Sequence, residues 1–417
     1  MKSVAVLHAA QLVTLAGPER ARVGRELGEL AMIEDGGMLV RDGVIVAVGP
    51  SEEIARELPN DIEVIEAHDR VVLPGFVDAH AHPVFGGSRV DEFEMRSRGA
   101  TYEEIAASGG GIRSTVRKTR AASEAELLAQ AQKRTDWFLR CGTTTMEAKS
   151  GYGLSLAEEL KMLRVIRQLN ETTPMEFVPT FLGAHAIPEE FAGAPEQYVA
   201  LVIHEMLPAV AEEKLAEYCD IFCERGYFDL ADSENILQAA QWHGLRLRMH
   251  VDQLTNSGGA MLAARLGAAT ADHLEQSNET EIAALAEAGV QPVLLPASVY
   301  ALGKTRYPKA RAMIDAGLAV VLATDFNPGS SPTPSIPMIL SLACTQMKMT
   351  PAEGIAASTI NAAYSLNRGE RIGSLEFGKT ANFSVFDCPD YREIAYWFGL
   401  PQVDSVHIDG DCVYSRE

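Results

Sequence analysis

Short segments in which apolar and polar positions alternate occur at both ends of the chain, and this period of two predicts β-strands. The segments cover residues 4–7, 37–40, 43–48 and 62–65, and then residues 373–375, 381–387, 403–408 and 412–414. Hairpin turns are predicted at Asp42 with Gly43 and at Asp409 with Gly410. Because segments of this style are confined to the two ends, we expect one small β-sandwich domain built from residues 1–66 and 370–417.

Between these ends, strand-like segments alternate with helix-like ones. The predicted strands are residues 71–78, 143–149, 176–181, 220–224, 245–250, 268–273, 291–295 and 318–325. Ser123 with Glu126, and Ser155 with Glu158, have the spacing of helix-capping boxes. Eight strand–helix repeats predict an α/β fold, a (β/α)8 barrel of the TIM type, over residues 67–369. In such barrels the functional side chains come from the carboxyl ends of the strands.

Side chains that bind metals follow several of these strand ends. His80 and His82 come directly after the first predicted strand, and residues two apart on an extended chain point to the same side. His250 ends the fifth strand, His273 the sixth and Asp325 the eighth. Three imidazoles and one carboxylate suit zinc or iron. The sequence therefore predicts one metal ion per chain, zinc or iron, held by His80, His82, His250 and Asp325.

Composition excludes several other classes of protein. The chain of 417 residues carries a net charge of −21, which disfavours nucleic acid and anionic membranes as partners. Hydrophobic residues make up 47% and charged residues 22% of the chain, as in folded globular proteins. The six cysteines form no CxxC pair, and no apolar run is long enough to span a membrane. We expect a cytoplasmic protein with reduced thiols, no secretion signal and a small-molecule substrate.

Longer motifs resemble a known enzyme superfamily. The run from Pro74 to His82, Pro-Gly-Phe-Val-Asp-Ala-His-Ala-His, is similar to the first-strand signature of the amidohydrolases. Within that superfamily, further runs resemble the imidazolonepropionase family. These runs lie at residues 82–89, 99–105, 147–154, 179–185 and 323–330. The resemblance implies metal-dependent hydrolysis of the ring amide C–N bond of 4-imidazolone-5-propanoate to N-formimidoyl-L-glutamate, the third step of histidine degradation, and it implies a homodimer.

The same resemblance assigns roles to residues around the predicted metal. It makes His273 a catalytic residue rather than a ligand, for polarising the carbonyl or exchanging protons, and the alternative is a fifth ligand in a two-metal site. From the residues themselves, we expect that Asp325 can bind the metal and also accept the proton of the water, and that Asp272 faces away on its strand. Arg89 offers a planar guanidinium for the propionate carboxylate. The other substrate-binding residues that the resemblance implies are Tyr102, for which a packing role is also open, Tyr152, His185, Asn327, Gly329 and Ser330.

Two positions depart from related metal-dependent hydrolases. Gln253 follows His250 by three residues, where related deaminases and some imidazolonepropionases have glutamate. A glutamine amide orients a substrate by hydrogen bonds but takes no proton, so we count Gln253 among the catalytic and substrate-binding residues and expect no deaminase. At the end of the fourth strand, Glu224 stands where two-metal relatives have a carboxylated lysine. This favours a single metal, with Glu224 in a supporting position.

Two other functions are open at the level of the sequence. One is an amidohydrolase that acts on a different nitrogen ring, although Arg89 and residues 327–330 argue against a neutral base as substrate. The other is a structural protein with an amidohydrolase-like fold and no metal. The presence of all four predicted ligands argues against this second function, and a metal content near zero would favour it.

Overall fold

The structure is a computed structural model that describes residues 3–101, 104 and 109–416. Its strands are β1 Val4–Val13, β2 Met32–Arg41, β3 Val44–Pro50, β4 Glu63–Glu66, β5 Val71–Pro74, β6 Phe76–Asp78, β7 Thr143–Lys149, β8 Glu176–Ala184, β9 Tyr218–Cys223, β10 Arg246–Val251, β11 Thr270–His273, β12 Gln291–Leu294, β13 Val321–Leu322, β14 Phe383–Phe386, β15 Val403–Ile408 and β16 Asp411–Ser415. The α-helices of the described residues are Ser51–Arg56, Val90–Ser97, Ile112–Ala121, Glu124–Leu139, Leu156–Thr172, Pro195–Leu201, Leu207–Glu212, Leu230–Trp242, Gly259–Leu266, Glu279–Ala288, Pro296–Ala301, Ala310–Asp315, Ile336–Met347, Pro351–Ala357, Ile360–Ser365 and Arg392–Tyr396.

Strands from both chain ends form one sheet. Its order is β16-β15-β14-β5-β1-β2-β3, with β4 pairing with β1, and most of its pairs are antiparallel. The two ends join where β14 pairs with β5 and Ser384 lies opposite Leu73. The strand predicted at 373–375 is wrong, because the chain bends there and Gly373 has φ +89° rather than an extended backbone. The predicted sheet from both ends is confirmed, while its exact limits as a domain stay a prediction.

The predicted first barrel strand, residues 71–78, is two strands that belong to different sheets. β5 joins the sheet of the chain ends, and β6 joins the barrel. They separate at Gly75, where a Cβ atom would lie 2.3 Å from the side chain of Thr144. Only glycine permits this close approach, since any larger residue would clash with β7. Residues 71–78 therefore form one continuous apolar run in the sequence but two strands in the structure, because the backbone packs closely at Gly75.

The remaining strands form the barrel. β6 to β13 follow one another in order and pair in parallel, which confirms the predicted (β/α)8 architecture. Past the last strand pair, Asp325 N donates to His80 O at 2.9 Å and His82 N donates to Phe326 O at 2.8 Å. These two hydrogen bonds connect the first strand region to the last. They bring the two histidines and the aspartate to the same point of the barrel rim.

The helices pack on the outside of the barrel, and their termini follow the predicted signals in part. Ser123 and Glu126 form the predicted capping box. Ser155 occupies the predicted position before its helix, but its side chain makes no capping hydrogen bond, so that capping box is wrong. Among the described residues, no helix is both long and apolar enough to cross a membrane.

Candidate active site

The four predicted metal ligands lie together at the carboxyl end of the barrel. Asp325 Oδ1 is 3.5 Å from His80 Nε2 and 3.6 Å from His82 Nε2. The ring of His250, at the end of β10, lies 4.4 Å from that of His80, centroid to centroid. All four side chains are buried. The ligand set therefore comes from three separate strand regions, which the closed barrel brings to one point.

Burial holds the three imidazoles in the neutral form that binds metals. Burial is the main cause that lowers the pKa of His80 and His82 well below its usual range, and it lowers the pKa of His250 to about 4. Burial also raises the pKa of Asp325 to about 7, against an opposing effect of His273. A divalent cation in this position would favour the charged carboxylate.

Two carboxylates hold the histidine rings from behind. His80 Nδ1 lies 2.6 Å from Asp272 Oδ2, and His250 Nδ1 lies 2.9 Å from Asp220 Oδ2. A proton on each Nδ1 leaves Nε2 with its lone pair towards the cluster. The prediction that Asp272 faces away is wrong, because Asp272 pairs in register with His250 and so lies on the same side of the sheet. His273 has φ +80° and leaves the extended conformation, so side chains 272 and 273 no longer alternate and both reach the cluster.

Further buried charges lie beneath these carboxylates, and the sequence analysis missed them. Lys149 ends β7 and contacts Asp220 at 2.6 Å and Glu147 at 2.9 Å. Arg248, on β10, contacts the same oxygen of Glu147 at 2.9 Å. The available signal was two charged residues, at 147 and 149, on one side of a strand whose other residues are all uncharged.

His273 stands beside the ligands with a carboxylate of its own. Its ring centroid is 5.3 Å from that of His250 and 5.7 Å from that of His80. Glu275 Oε1 lies 3.4 Å from His273 Nδ1. Burial acts to lower the pKa of His273, but Glu275, Asp325 and Asp272 together raise it above its ordinary value. The residue is suited to donate a proton or a hydrogen bond.

A cavity of about 710 Å³ opens beside the ligands. Tyr152 and His185, both predicted to bind substrate, line it, with ring centroids 5.3 Å apart. The His185 ring also stacks on that of His82 at 5.3 Å. Its Nδ1 lies 2.9 Å from the carbonyl of Gly151, which can only accept, so Nδ1 carries the proton and Nε2 is the acceptor atom. Burial lowers the pKa of His185 to about 4, which keeps this ring neutral.

Arg89 lines the same cavity, in contact with a carboxylate that the motif did not reveal. Its Nε and Nη2 donate to Glu92 Oε2 at 2.8 and 2.7 Å. Its Nη1 faces Gly329, where a Cβ atom would lie 2.1 Å from it. Two more cations, Arg96 and Lys304, line the cavity, and Arg96 donates to Gly329 O at 3.2 Å. The sequence analysis assigned neither of them.

The loop after Asp325 is organised by Asn327. Its Oδ1 accepts from Gly329 N at 2.8 Å and Ser330 N at 2.7 Å, while its Nδ2 donates to Asp325 O and to Ser330 Oγ. All three predicted residues of this loop line the cavity. The amide of Asn327 is thus engaged in shaping the loop, which sets the cavity wall next to Arg89.

Gln253 lines the cavity, and Glu224 lies outside it. The Glu224 carboxylate accepts from Leu254 N at 2.8 Å and from Thr255 N at 3.2 Å. Glu224 therefore holds the loop that follows Gln253, in agreement with a supporting position. Tyr102, the remaining predicted substrate contact, lies outside the described residues.

Comparison with known proteins identifies the family. The Amidohydrolase family matches residues 226–413, and the Imidazolonepropionase-like composite domain of bacteria matches residues 36–60. An imidazolonepropionase of Solibacter usitatus is 64% identical over 416 residues, with both chains covered completely. One from Brevibacillus brevis is 48% identical over 419 residues, covering 100% of this chain and 99% of its own.

Solved structures share the fold at low sequence identity. An adenosine deaminase from Xanthomonas campestris with bound zinc superimposes with a TM-score of 0.73 at 20% identity, covering 99% of this chain and 92% of its own. A guanine deaminase from Bradyrhizobium japonicum gives 0.69 at 19% identity, with both chains covered completely. These two likenesses establish the fold alone, whereas the full-length sequence matches establish the enzyme family. The chain belongs to the imidazolonepropionase family of amidohydrolases.

Proposed function

We propose that the cavity beside the four ligands performs the hydrolysis characteristic of this family, cleavage of the ring amide C–N bond of 4-imidazolone-5-propanoate to give N-formimidoyl-L-glutamate. The observation that carries the proposal is that three of the four proposed ligands, His82, His250 and Asp325, line one cavity together with the guanidinium of Arg89. A substrate with an amide ring and a carboxylate on a short chain matches both features. Because the chain has a net charge of −21, a cation here is a local feature rather than a reflection of overall charge.

The donor set fits one metal ion, and we propose zinc or iron. His80, His82 and His250 supply neutral imidazoles, and Asp325 supplies a carboxylate. The buried Nε2 of His80 has no hydrogen-bond partner among the residues that the structure describes, as suits an atom reserved for a metal. When bound, the metal supplies a Lewis acid that activates water and polarises the ring carbonyl.

The hydrolysis forms a bond from the oxygen of water to the ring carbonyl carbon and breaks the bond from this carbon to the ring nitrogen. We assign to Asp325 the proton that the attacking water loses and its return to the departing nitrogen. His273 donates a hydrogen bond from Nε2 to the carbonyl oxygen, where negative charge develops. This assignment is supported by Glu275, which lies 3.4 Å from Nδ1 of the same ring and leaves Nε2 for the substrate.

The rest of the cavity wall orients the substrate. We assign the propionate carboxylate to Arg89, whose Nη1 is not used by Glu92. Tyr152, His185 and Gln253 contact the ring. The glutamate-like part of the product lies against the loop of Asn327, Gly329 and Ser330, and Tyr102 is a further candidate for the same pocket.

Loss of the ultraviolet absorbance of 4-imidazolone-5-propanoate, with metal content measured on the same sample, tests the proposal. We expect turnover with about one zinc or iron per chain, loss of activity after chelation, and recovery when either metal is returned. Metal-loaded protein without turnover would overturn the substrate assignment. Turnover that survives complete removal of metal would overturn the assignment of the ligand cluster.

We also propose that the protein acts in the cytoplasm as a homodimer. The family resemblance supports both statements, and the thiols of Cys141, Cys219, Cys223, Cys344 and Cys388, which form no disulfide among the described residues, suit a reducing compartment. Exposed aromatic side chains at Tyr396, Trp397 and Phe398 offer apolar surface to an interface between copies. Light scattering on the purified protein measures the oligomeric state directly, and a monomer at micromolar concentration would contradict the homodimer.

A further inference from the structure

A buried lysine lies directly behind the ligand cluster, and the proposed chemistry does not use it. Lys149 Nζ is 2.6 Å from Asp220 Oδ2, 2.9 Å from Glu147 Oε1 and 3.7 Å from Asp272 Oδ2. All four side chains are completely buried, with 0% exposure. Removing one partner from such a group leaves uncompensated charge away from water, so the geometry of each member depends on the others.

Two of these carboxylates connect Lys149 to the metal ligands. Asp272 Oδ2, which faces Lys149, is also the oxygen 2.6 Å from His80 Nδ1. Asp220 Oδ2, which faces Lys149, is likewise the oxygen 2.9 Å from His250 Nδ1. One ammonium group therefore joins the carboxylates that orient two ligands from different strands.

The charge of the group is also suited to a cation in front of it. Arg248 completes the set, with contacts of 2.9 Å to Glu147 and 3.7 Å to Asp272. Three carboxylates and two cations leave an excess of one negative charge behind the histidines. Without Lys149 this excess would rise, and repulsion would separate Asp220 from Asp272 and turn the two imidazoles.

We infer that Lys149 is a positioning residue of the metal site: it holds Asp220 and Asp272 in place and thereby fixes the rings of His80 and His250 for the metal. The inference rests on the proposed function, because it requires these two histidines to be ligands. Lys149 contacts neither the metal position nor the substrate cavity, so its effect is expected first on metal binding and only through it on turnover.

The test is the affinity of Lys149→Gln for Zn²⁺, measured by competition with a chelator. We expect the Kd to rise about 10- to 100-fold, as for other residues that support metal ligands. The visible absorption of the Co²⁺-loaded protein is expected to shift, because it reports on the geometry of the ligands. The matched control is Arg368→Gln, which removes ion pairs of 2.7 Å to Glu176 and 2.6 Å to Glu217 at the opposite end of the barrel. Its Tm is expected to fall while its Kd and cobalt spectrum stay those of the unaltered protein.

Three further variants separate the possible results. Asp220→Asn is expected to weaken metal binding by a similar factor. In the double variant that combines Asp220→Asn with Lys149→Gln, the fold-increase in Kd should be smaller than the product of the two single fold-increases. If Lys149→Gln does not fold, Asp220→Asn with unaltered zinc affinity and cobalt spectrum overturns the inference. If His80→Ala keeps the original Kd, the metal lies elsewhere and the proposed function fails. If His80→Ala loses the metal while folded Lys149→Gln retains the original Kd and spectrum, the inference alone fails.

Discussion

Two groups of histidines with nearby carboxylates occur in this molecule, and their surroundings differ. On the sheet of the chain ends, His8 and His68 stack with ring centroids 4.7 Å apart. His8 Nδ1 lies 2.8 Å from Asp35, and His68 Nε2 lies 3.5 Å from Glu66. These two imidazoles are 38% and 66% exposed, whereas the His80 side chain at the barrel rim is 0% exposed. In both groups, atoms that can bind a metal lie within 4.8 Å of one another, so residue type and distance alone would rank the two groups as similar.

Burial and a second layer of carboxylates suit the histidines of the barrel rim, and not those of the surface pair, to bind a metal. In water, protons and solvent compete with a metal for an imidazole. At the barrel rim, burial is the main cause that lowers the pKa of His80 well below its usual range, so no proton competes at neutral pH. Asp272 and Asp220 hold Nδ1 of His80 and His250, which aims the other nitrogen of each ring inward. The surface pair has instead two exposed carboxylates, Asp35 and Glu66, and open solvent.

The largest effect is expected from a substitution of Asp325, the carboxylate among the four proposed ligands. Asp325→Asn removes the anionic ligand and the proton acceptor together, so kcat is expected to fall by about 10³-fold or more. Zinc content after dialysis is expected to fall in parallel. The variant can be checked for folding by circular dichroism, since Asn has nearly the same size. Full activity in a correctly folded variant would exclude Asp325 from both roles.

His273→Asn tests whether His273 belongs to the ligand set. If His273 hydrogen-bonds the substrate and does not coordinate the metal, kcat falls about 10²- to 10³-fold while the zinc content stays near that of the unaltered protein. Measuring metal and kcat on one sample separates the two roles. Loss of metal together with activity would show that His273 belongs to the ligand set.

The cluster of proposed ligands could be predicted from the sequence because a barrel brings residues that are far apart in the chain to one rim. Parallel strands have all their carboxyl ends at one rim, so residues that follow different strands must meet there. The order of the strands was enough to predict that His80, His250 and Asp325 lie together. The motif around Arg89 and the other runs that resemble the family supplied the rest of the expected cavity.

The supporting groups could not be predicted in this way, because they depend on backbone details. Asp272 and His273 are neighbours that both reach the cluster, because His273 adopts φ +80°, a conformation that a period of two does not foresee. The split of residues 71–78 depends on the approach of Thr144 to Gly75. Glu92 meets Arg89 one helical turn on, and no strand or motif pattern indicated this ion pair.

Arg89→Met tests the cavity that adjoins the buried group. Loss of a charge-assisted hydrogen bond to the substrate carboxylate, about 1.5–3 kcal/mol, is expected to raise KM about 10- to 150-fold. Zinc content should not change, because Arg89 contacts none of the ligands. Gly329→Ala is the steric companion: its Cβ would lie 2.1 Å from Arg89 Nη1, so it must displace the guanidinium and raise KM in the same direction. An unchanged KM in both variants would remove Arg89 from substrate binding.

The smallest effect is expected at the surface pair of His8 and His68. His68→Ala removes one of the two stacked rings at a site that is 66% exposed, so the free energy of unfolding should change by no more than about 0.5 kcal/mol. Tightly bound zinc, kcat and KM should all keep their original values. A chain that loses zinc after this substitution would show that exposed imidazoles with a carboxylate bind metal as firmly as buried ones. Burial and the carboxylates behind the rings would then no longer explain why the barrel rim holds the metal.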